Sequence, residues 1–392
     1  MALVPFSYSL RSLAVRRSAT VLTVASIGAT VAVLAGVLAL QQGFSTLFRE
    51  AGRDDLLVLL RPGAGSEGES FFPRDRAAVL KKSFPEFAQD EAGPLVAGEL
   101  YLGVRLRKHP ALGGGETNVP IRGVERRSFE LTGAGLRVLD GGRRFRWGHD
   151  EVIVGRKLVS RIAGCAVGRR IRLNTTEFEV VGVFDVEGPY ASEIWGDFER
   201  LREALQRNGY SRLVGRLAPG ADLRALREKL SGHKQIQAKL LTEREYLTSQ
   251  TAALSGALLF LGTFLGLVMG AAAVFTGTNT MLAALAARTH EIGILLSLGF
   301  RPGAIFFAFL LESLLLGLLG GVVGCLLVLP LHGVETGTTN FATFTEVAFA
   351  FRVSPTVLGV AALFAVGLGL LGGLLPAWSA ASKLPTEALR RR

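Results

Sequence analysis

Apolar positions crowd into two parts of the chain and thin out between them. One run, Ala19–Leu40, comes early; three more, Thr251–Ala287, Ala304–Leu331 and Thr356–Trp378, fill the last third. Each reaches the roughly 20 residues that a helix needs to cross a hydrocarbon core of about 30 Å. Between the first run and the second, Gln41–Gln250 is charged, and its apolar residues come in short runs of strand length. The pattern predicts four membrane helices, one before and three after a large extramembrane domain. The first run is longer than the ~7–15 residues of a signal-peptide core, and Gln41, Gln42, Gly43 and Phe44 offer no small-x-small cleavage site. We read it as a retained anchor rather than a cleaved leader.

Basic residues in short flanks set the expected orientation. Arg11, Arg16 and Arg17 precede the first span, and Lys383, Arg390, Arg391 and Arg392 follow the last. Arg288 and Arg301 lie between the second and third spans, whereas His332–Pro355 has only Arg352. Both termini and the 288–303 loop are therefore expected in the cytoplasm, and residues 41–250 and 332–355 outside it. The second apolar run is about 36 residues, roughly 54 Å as a helix at 1.5 Å per residue, longer than a bilayer requires. Its polar cluster Thr276, Thr278, Asn279 and Thr280 marks the exit from lipid, and Met281–Arg288 is read as an inward stalk.

Small residues recur at four-residue spacing: Gly262, Gly266 and Gly270 in the second span, Gly317 with Gly321 and Gly320 with Gly324 in the third, Gly369 with Gly373 in the fourth. Such pairs let helix backbones approach closely, in a tight bundle or a dimer. Glu312 is the one acid well inside a span. A carboxylate there is costly in lipid, and we expect it to pair with an arginine or lysine at the cytoplasmic edge, Arg301 or Lys383.

In the middle domain, Asp55–Arg61 reads as a strand, Pro73–Phe84 as a helix with proline in its first turn, and Leu95–Leu106 as a second strand. The order returns near the end: strand Arg212–Leu217, a Pro219–Gly220 turn, helix Ala221–Ser231, strand Gln237–Thr242. One α/β lobe built from both ends, about 53–98 and 210–245, is expected. Between them, about 99–209, lies an inserted β-rich lobe with strands Asn118–Gly123, Glu151–Val154, Arg169–Leu173 and Phe178–Phe184, and short helices Arg156–Ala163 and Asp197–Gln206.

Composition agrees with a membrane protein: 49% of the 392 residues are hydrophobic, 48 are glycine, and mean hydropathy is +0.37. The net charge of +11 raises nucleic acid as a partner. However, no basic run interleaved with aromatics exists to bind it. Cys165 and Cys325 imply no disulfide framework. His109, His149 and His233 lack the spaced partners of a metal site. No G-x-S-x-G elbow and no G-x-x-x-x-G-K-[ST] loop occurs in these residues. No catalytic, cofactor or metal site is expected.

The stretch Arg288–Arg301 (RTHEIGILLSLGFR) resembles the E-I-G…L-x-x-L-G signature of the FtsX-like permeases, the membrane subunits of MacB- and lipoprotein-release-type ABC transporters. Pro5–Arg11 resembles the family's amphipathic N-terminal segment, and Thr242–Tyr246 its return to the second span. Glu151–Gly155, Val180–Val183 and Ser192–Trp195 are similar to the MacB-type periplasmic core domain. Leu375–Ala377 with Pro385–Arg390 is similar to the C-terminal tail.

The resemblance implies an α-helical membrane protein with four transmembrane helices in a one-plus-three arrangement, and a large α+β periplasmic domain with a porter-like lobe and an inserted β-rich lobe. In its terms residues 1–18 are the cytoplasmic segment, 19–40 the first span, 41–250 the periplasmic domain and 251–287 the second span with its stalk. Residues 288–303 are then the coupling segment, 304–331 and 356–378 the last spans, 332–355 a periplasmic loop and 379–392 a cytoplasmic tail, with the permease domain over about 251–389. It further implies a bacterial inner-membrane location, a dimer with a second copy or a paralogue, surrounding membrane lipid, and a periplasmic adaptor as a further candidate partner. A separate cytoplasmic ATPase, not fused to this chain, would hold ATP and Mg2+. On this reading Ile292, Leu295, Leu296 and Leu298 offer apolar contact to the ATPase. Arg288, His290 and Glu291 give polar anchoring, and Gly293 and Gly299 allow close approach or a turn. The chain would transmit force and catalyse nothing itself. A membrane-anchored scaffold or receptor acting without nucleotide is the alternative.

Overall fold

The computed structural model describes residues 15–233, 236–340 and 345–383. Most of the predicted N-terminal segment and most of the C-terminal tail, including Pro385–Arg390, lie outside the described residues. In chain order the helices are α1 (Arg17–Ala51), α2 (Arg74–Lys82), α3 (Arg156–Val159), α4 (Phe198–Ala204), α5 (Leu223–Gly232), α6 (Glu243–Ala287), α7 (Thr289–Ser297), α8 (Pro302–Val328) and α9 (Pro355–Ala381). The strands are β1 (Leu56–Leu60), β2 (Phe72–Pro73), β3 (Gln89–Asp90), β4 (Gly93–Pro94), β5 (Val96–Arg107), β6 (Glu116–Val124), β7 (Arg137–Val138) and β8 (Glu151–Gly155). They continue with β9 (Arg170–Leu173), β10 (Thr176–Asp185), β11 (Ile194–Asp197), β12 (Gly209–Tyr210), β13 (Arg212–Arg216), β14 (Lys239–Thr242), β15 (Glu335–Asn340) and β16 (Thr345–Ala350). The chain divides into two compact units, one of Phe44–Ser255 with Glu335–Phe349 and one of the remaining residues.

The first of these is an α/β domain around a ten-stranded sheet of order β14-β1-β13-β5-β6-β11-β8-β10-β7, with β9 along β10. The five residues of β1, all leucine or valine, are all buried, the pattern of a strand covered on both faces. It lies between β13 and β14, antiparallel to both, so the start and end of the domain close on one another. The twelve-residue β5 joins the two parts of the sheet. Val96–Glu99 pair with β13 and Leu100–Arg107 with β6. The segment predicted as an inserted lobe thus continues the sheet from a shared strand. Helices α2 and α5 bury Ala77, Leu80, Leu226 and Leu230 in the same core as Leu57 and Leu59. Asp222 caps α5, accepting from Arg224 N at 2.8 Å and Ala225 N at 3.3 Å.

Two expectations change here. The helix predicted for Arg156–Ala163 stops at Val159, because Ile162 bridges to Lys108 and Ala163 N–H donates to the Arg107 carbonyl. The stretch predicted as a plain loop, His332–Pro355, carries the hairpin β15–β16. Its second strand packs on the domain: Thr345 Oγ1 lies 3.1 Å from Tyr101 Oη, Ala348 N–H donates to Ser192 Oγ, and the Phe349 ring meets Phe44 at 5.2 Å.

The second unit is a helix bundle. The first two spans are longer than their apolar runs: α1 extends past Leu40 to Ala51, and α6 begins at Glu243, ahead of Thr251. The early start of α6 has a local cause. Thr242 Oγ1 accepts from Glu245 N–H at 3.1 Å while Glu245 Oε2 accepts from Thr242 N–H at 2.9 Å, a reciprocal capping box. At 45 residues α6 is about 68 Å long. The spaced glycines lie at helix crossings within the chain. A Cβ at Gly317 would come within 2.7 Å of the Ala365 carbonyl oxygen, and one at Gly369 within 2.8 Å of that of Ser313. Gly321 faces Ala365 and Gly373 faces Ser313, while Gly262 and Gly266 face Val37 and Leu34 of α1. Of the two open readings, tight bundle or dimer, these contacts support the bundle.

Candidate functional site

The predicted coupling residues form α7 and its two ends. Arg288 precedes the helix, and Gly299 ends it in the left-handed region at φ +91°. Gly299 N–H donates to the Leu296 carbonyl at 3.1 Å and Phe300 N–H to that of Leu295 at 3.2 Å, the paired bonds of a Schellman stop that glycine makes without strain. One side of α7 is sunk into the bundle. Ile292, 2% exposed, packs in a core with Met281, Leu285, Ile305 and Phe309, and Gly293 is buried beside it. Ile292 is therefore not part of an outward apolar strip: it is buried in that core, whereas Leu298 is exposed. The outward side carries His290, Glu291, Ile294 and Leu298; Leu298 is 71% exposed and Ile294 42%. Leu295 and Leu296 are half-buried between the two. Ile294 was not among the predicted contacts.

Arg288 fixes this helix to its neighbour. Its Nη1 donates to Glu312 Oε2 at 3.2 Å and its Nε to Glu291 Oε2 at 3.3 Å, while the guanidinium lies 5.6 Å from the Phe309 ring centre. Glu312 thus pairs with Arg288, not with Arg301 or Lys383. The reason is reach: Arg288 stands beside Glu312 and Phe309 of α8, whereas Arg301 stands at the start of α8, eleven positions or about three turns from Glu312.

A second polar centre lies in the α/β domain, and no sequence motif announces it. Register assembles it. Glu99 of β5 stands opposite Arg212 of β13, and Arg122 of β6 stands opposite Tyr101 on one side and Trp195 of β11 on the other. Arg212 donates to Glu99 Oε2 at 2.9 Å, to Glu67 Oε1 at 2.8 Å and to Thr132 Oγ1 at 3.2 Å. Arg122 donates to both oxygens of Glu193, at 2.7 and 2.8 Å, to Glu67 at 2.7 Å and to Glu99 at 2.9 Å. All six side chains are buried. Burial alone pushes the Glu99 carboxyl up, but Arg212 and Arg122 outweigh it and hold it below the ordinary carboxylate range. Burial prevails at Glu193, whose carboxyl is raised despite Arg122.

The cysteines join neither centre. Burial pushes the Cys165 thiol up to about 12, far from a reactive thiolate, and Cys325 lies in α8. Among the described residues no cluster of His, Cys, Asp or Glu could hold a metal ion.

Four helices long and apolar enough to cross a bilayer, with an α/β domain between the first and second, define a membrane protein with a large extramembrane domain. The model of the MacB-like periplasmic core domain matches residues 20–232, and that of the FtsX-like permease C-terminal domain matches residues 247–385. The chain belongs to the MacB-like, FtsX-type family of ABC transporter permeases. It is similar to the macrolide export ATP-binding/permease protein MacB of Chromobacterium violaceum, at 27% identity over 98% of this chain and 60% of that protein. It is also similar to the uncharacterized ABC transporter permease YvrN of Bacillus subtilis, at 25% identity over 98% of this chain and 97% of that one. The chain spans about three fifths of the length of the MacB relative. The extracellular domain of the noncanonic ABC-type transporter YknZ from Gram-positive bacteria aligns at 17% identity over 48% of this chain and 99% of that chain, with a TM-score of 0.34.

Proposed function

We propose that this chain is the membrane component through which a cytoplasmic ABC ATPase moves a domain on the far side of the membrane. The ATPase, a partner chain binding ATP and Mg2+, would seat on the outward side of α7: Ile294 and Leu298 for apolar contact, His290 and Glu291 for polar contact. The chain itself contributes no catalytic group. ATP-driven closure of the ATPases displaces α7, and the uninterrupted α6 carries that displacement outward as a lever. The one-plus-three arrangement places both termini and α7 in the cytoplasm of a bacterial inner membrane and the α/β domain outside. A second copy or a paralogue completes the complex, and a periplasmic adaptor is a further partner. The product is export or extraction of a substrate from the inner membrane or periplasm.

The observation that carries this reading is an exposed apolar pair on a helix that is otherwise anchored. Ile294 and Leu298 face outward while Ile292 and the Arg288–Glu312 pair hold α7 to α8. Affinity purification of the tagged full chain from host membranes tests it. An ABC ATPase is expected to come down in near-equal amount. Recovery of the chain without any nucleotide-binding protein favours a scaffold or receptor and contradicts the proposal.

A further inference from the structure

Beside the Arg122–Arg212 cluster stands a fourth buried carboxyl, Glu243, the first residue of α6 and 2% exposed. It precedes by eight positions the apolar run that begins at Thr251, and it belongs with the α/β domain. Its Oε1 accepts from Tyr190 Oη at 2.6 Å and its Oε2 from the Arg53 backbone N–H at 3.2 Å. The Arg53 guanidinium is turned away, donating to Asp55 Oδ1 at 3.0 Å and to the Leu131 carbonyl at 3.3 Å. Among the described residues no lysine or arginine side chain forms a salt bridge with Glu243.

The charges in this region do not balance. Glu67, Glu99, Glu193 and Glu243 share two buried guanidinium groups, Arg122 and Arg212, and the half-buried Arg53 acts on Glu243 through space without pairing with it. Tyr190 links the parts, with its hydroxyl on Glu243 and its ring 5.3 Å from the Arg122 guanidinium and 5.7 Å from that of Arg212. The Tyr246 hydroxyl accepts from Glu67 N–H at 3.3 Å. A buried carboxylate without a cation is too costly to keep ionised, and such a group takes a proton instead. Glu67, Glu99 and Glu193 each hold a guanidinium; Glu243 has only neutral donors. A cavity of about 30 Å³ lined by Glu67, Arg122, Tyr190, Glu193 and Gln250 has room for one water; it reaches Tyr190, the hydrogen-bond partner of Glu243, but not Glu243 itself.

We propose that Glu243 is a proton-binding site that locks the base of α6 to the sheet. Seated in the domain, Glu243 is a neutral acid sharing one hydrogen bond with the Tyr190 phenol; release of the proton leaves a buried anion with no ion-pair partner, which Arg53 and Arg212 favour only through space, and loosens the seat. Burial raises the Glu243 carboxyl above its ordinary range, with Tyr190 and Arg212 opposing. Because the folded value lies above the unfolded one, this contribution to stability is complete below the ordinary carboxylate range and is lost as pH rises through the folded value. Glu193 has the same sign.

The test uses the full chain in detergent. Infrared spectra of the wild type should show a protonated-carboxyl carbonyl band that persists above the ordinary carboxylate range, fades on alkalinisation and is diminished in Glu243→Gln. The thermal midpoint of the wild type should fall as pH rises above the ordinary carboxylate range, and the fall should shrink in Glu243→Gln. Tyr190→Phe, which removes a donor that favours the anion, should move the band's disappearance to higher pH. Absence of the band from the wild type at about pH 6, or an unchanged band in Glu243→Gln, overturns the proposal whether or not any variant is stable.

Discussion

Replacing Arg212 by methionine is expected to cost the extramembrane domain about 3–5 kcal/mol, the usual penalty for removing one partner from a buried ion network. Its guanidinium is fully buried and faces Glu67, Glu99 and Thr132. Methionine fills much of the space but leaves three carboxylates, Glu67, Glu99 and Glu193, to share Arg122. With total stabilities of about 5–15 kcal/mol, that loss is a large fraction of the domain's margin. Arg74→Met gives the scale for comparison. Its pair with Glu199 is about half exposed on both sides, and such surface pairs contribute about 1 kcal/mol or less. Thermal unfolding of the two purified variants, followed by tryptophan fluorescence, checks the contrast. Equal midpoints for Arg212→Met and wild type would mean that the cluster is hydrated rather than buried.

The second large effect is expected at the Arg288–Glu312 pair, whose side chains are 11% and 5% exposed. Arg288→Met leaves Glu312 alone among apolar helices, and Glu312→Leu removes the guanidinium's buried acceptor and leaves it the exposed Glu291. Each is expected to lose about 3–5 kcal/mol, whereas the double replacement should lie near wild type, since a buried pair exchanged for apolar side chains is often neutral. The same cycle separates two roles for Arg288. If it only stabilises, the double variant should couple to the ATPase normally. If it also aligns α7, turnover should stay low although stability is restored. A cycle in which the singles are harmless and the double is not would contradict the pairing.

Much of the architecture is legible in the residues. Four apolar runs give the four long helices, the LLVLL of β1 gives a central strand, and the spaced glycines give the close crossings of α8 with α9 and of α6 with α1. Thr242 and Glu245 also signal the start of α6, but an apolar run defines only the part of a helix that meets lipid, so it misses the turns that enter the domain. The buried cluster was not legible, because its members are separated by as many as 145 positions and meet only through strand register. Read singly, Glu99, Arg122 and Arg212 look like the solvent face of a sheet. The α7 face was ambiguous for another reason. Its apolar residues occur on both sides, so spacing alone does not distinguish Ile292, buried in one core with Leu285, from Ile294 and Leu298. The hairpin β15–β16 was hidden by its polar first strand, whose threonines suit a strand as well as a loop.

The outward side of α7 is where the account is most exposed to experiment. Ile294→Asp with Leu298→Asp puts two charges on surface positions, where substitutions away from the core leave stability within about 0.5 kcal/mol. With the chain reconstituted in lipid beside its partner ATPase, turnover in the complex should fall at least about tenfold, the loss of roughly 1.4 kcal/mol of coupling, while the thermal midpoint stays near wild type. Undiminished turnover and intact assembly with both aspartates in place would contradict the claim that α7 receives the ATPase.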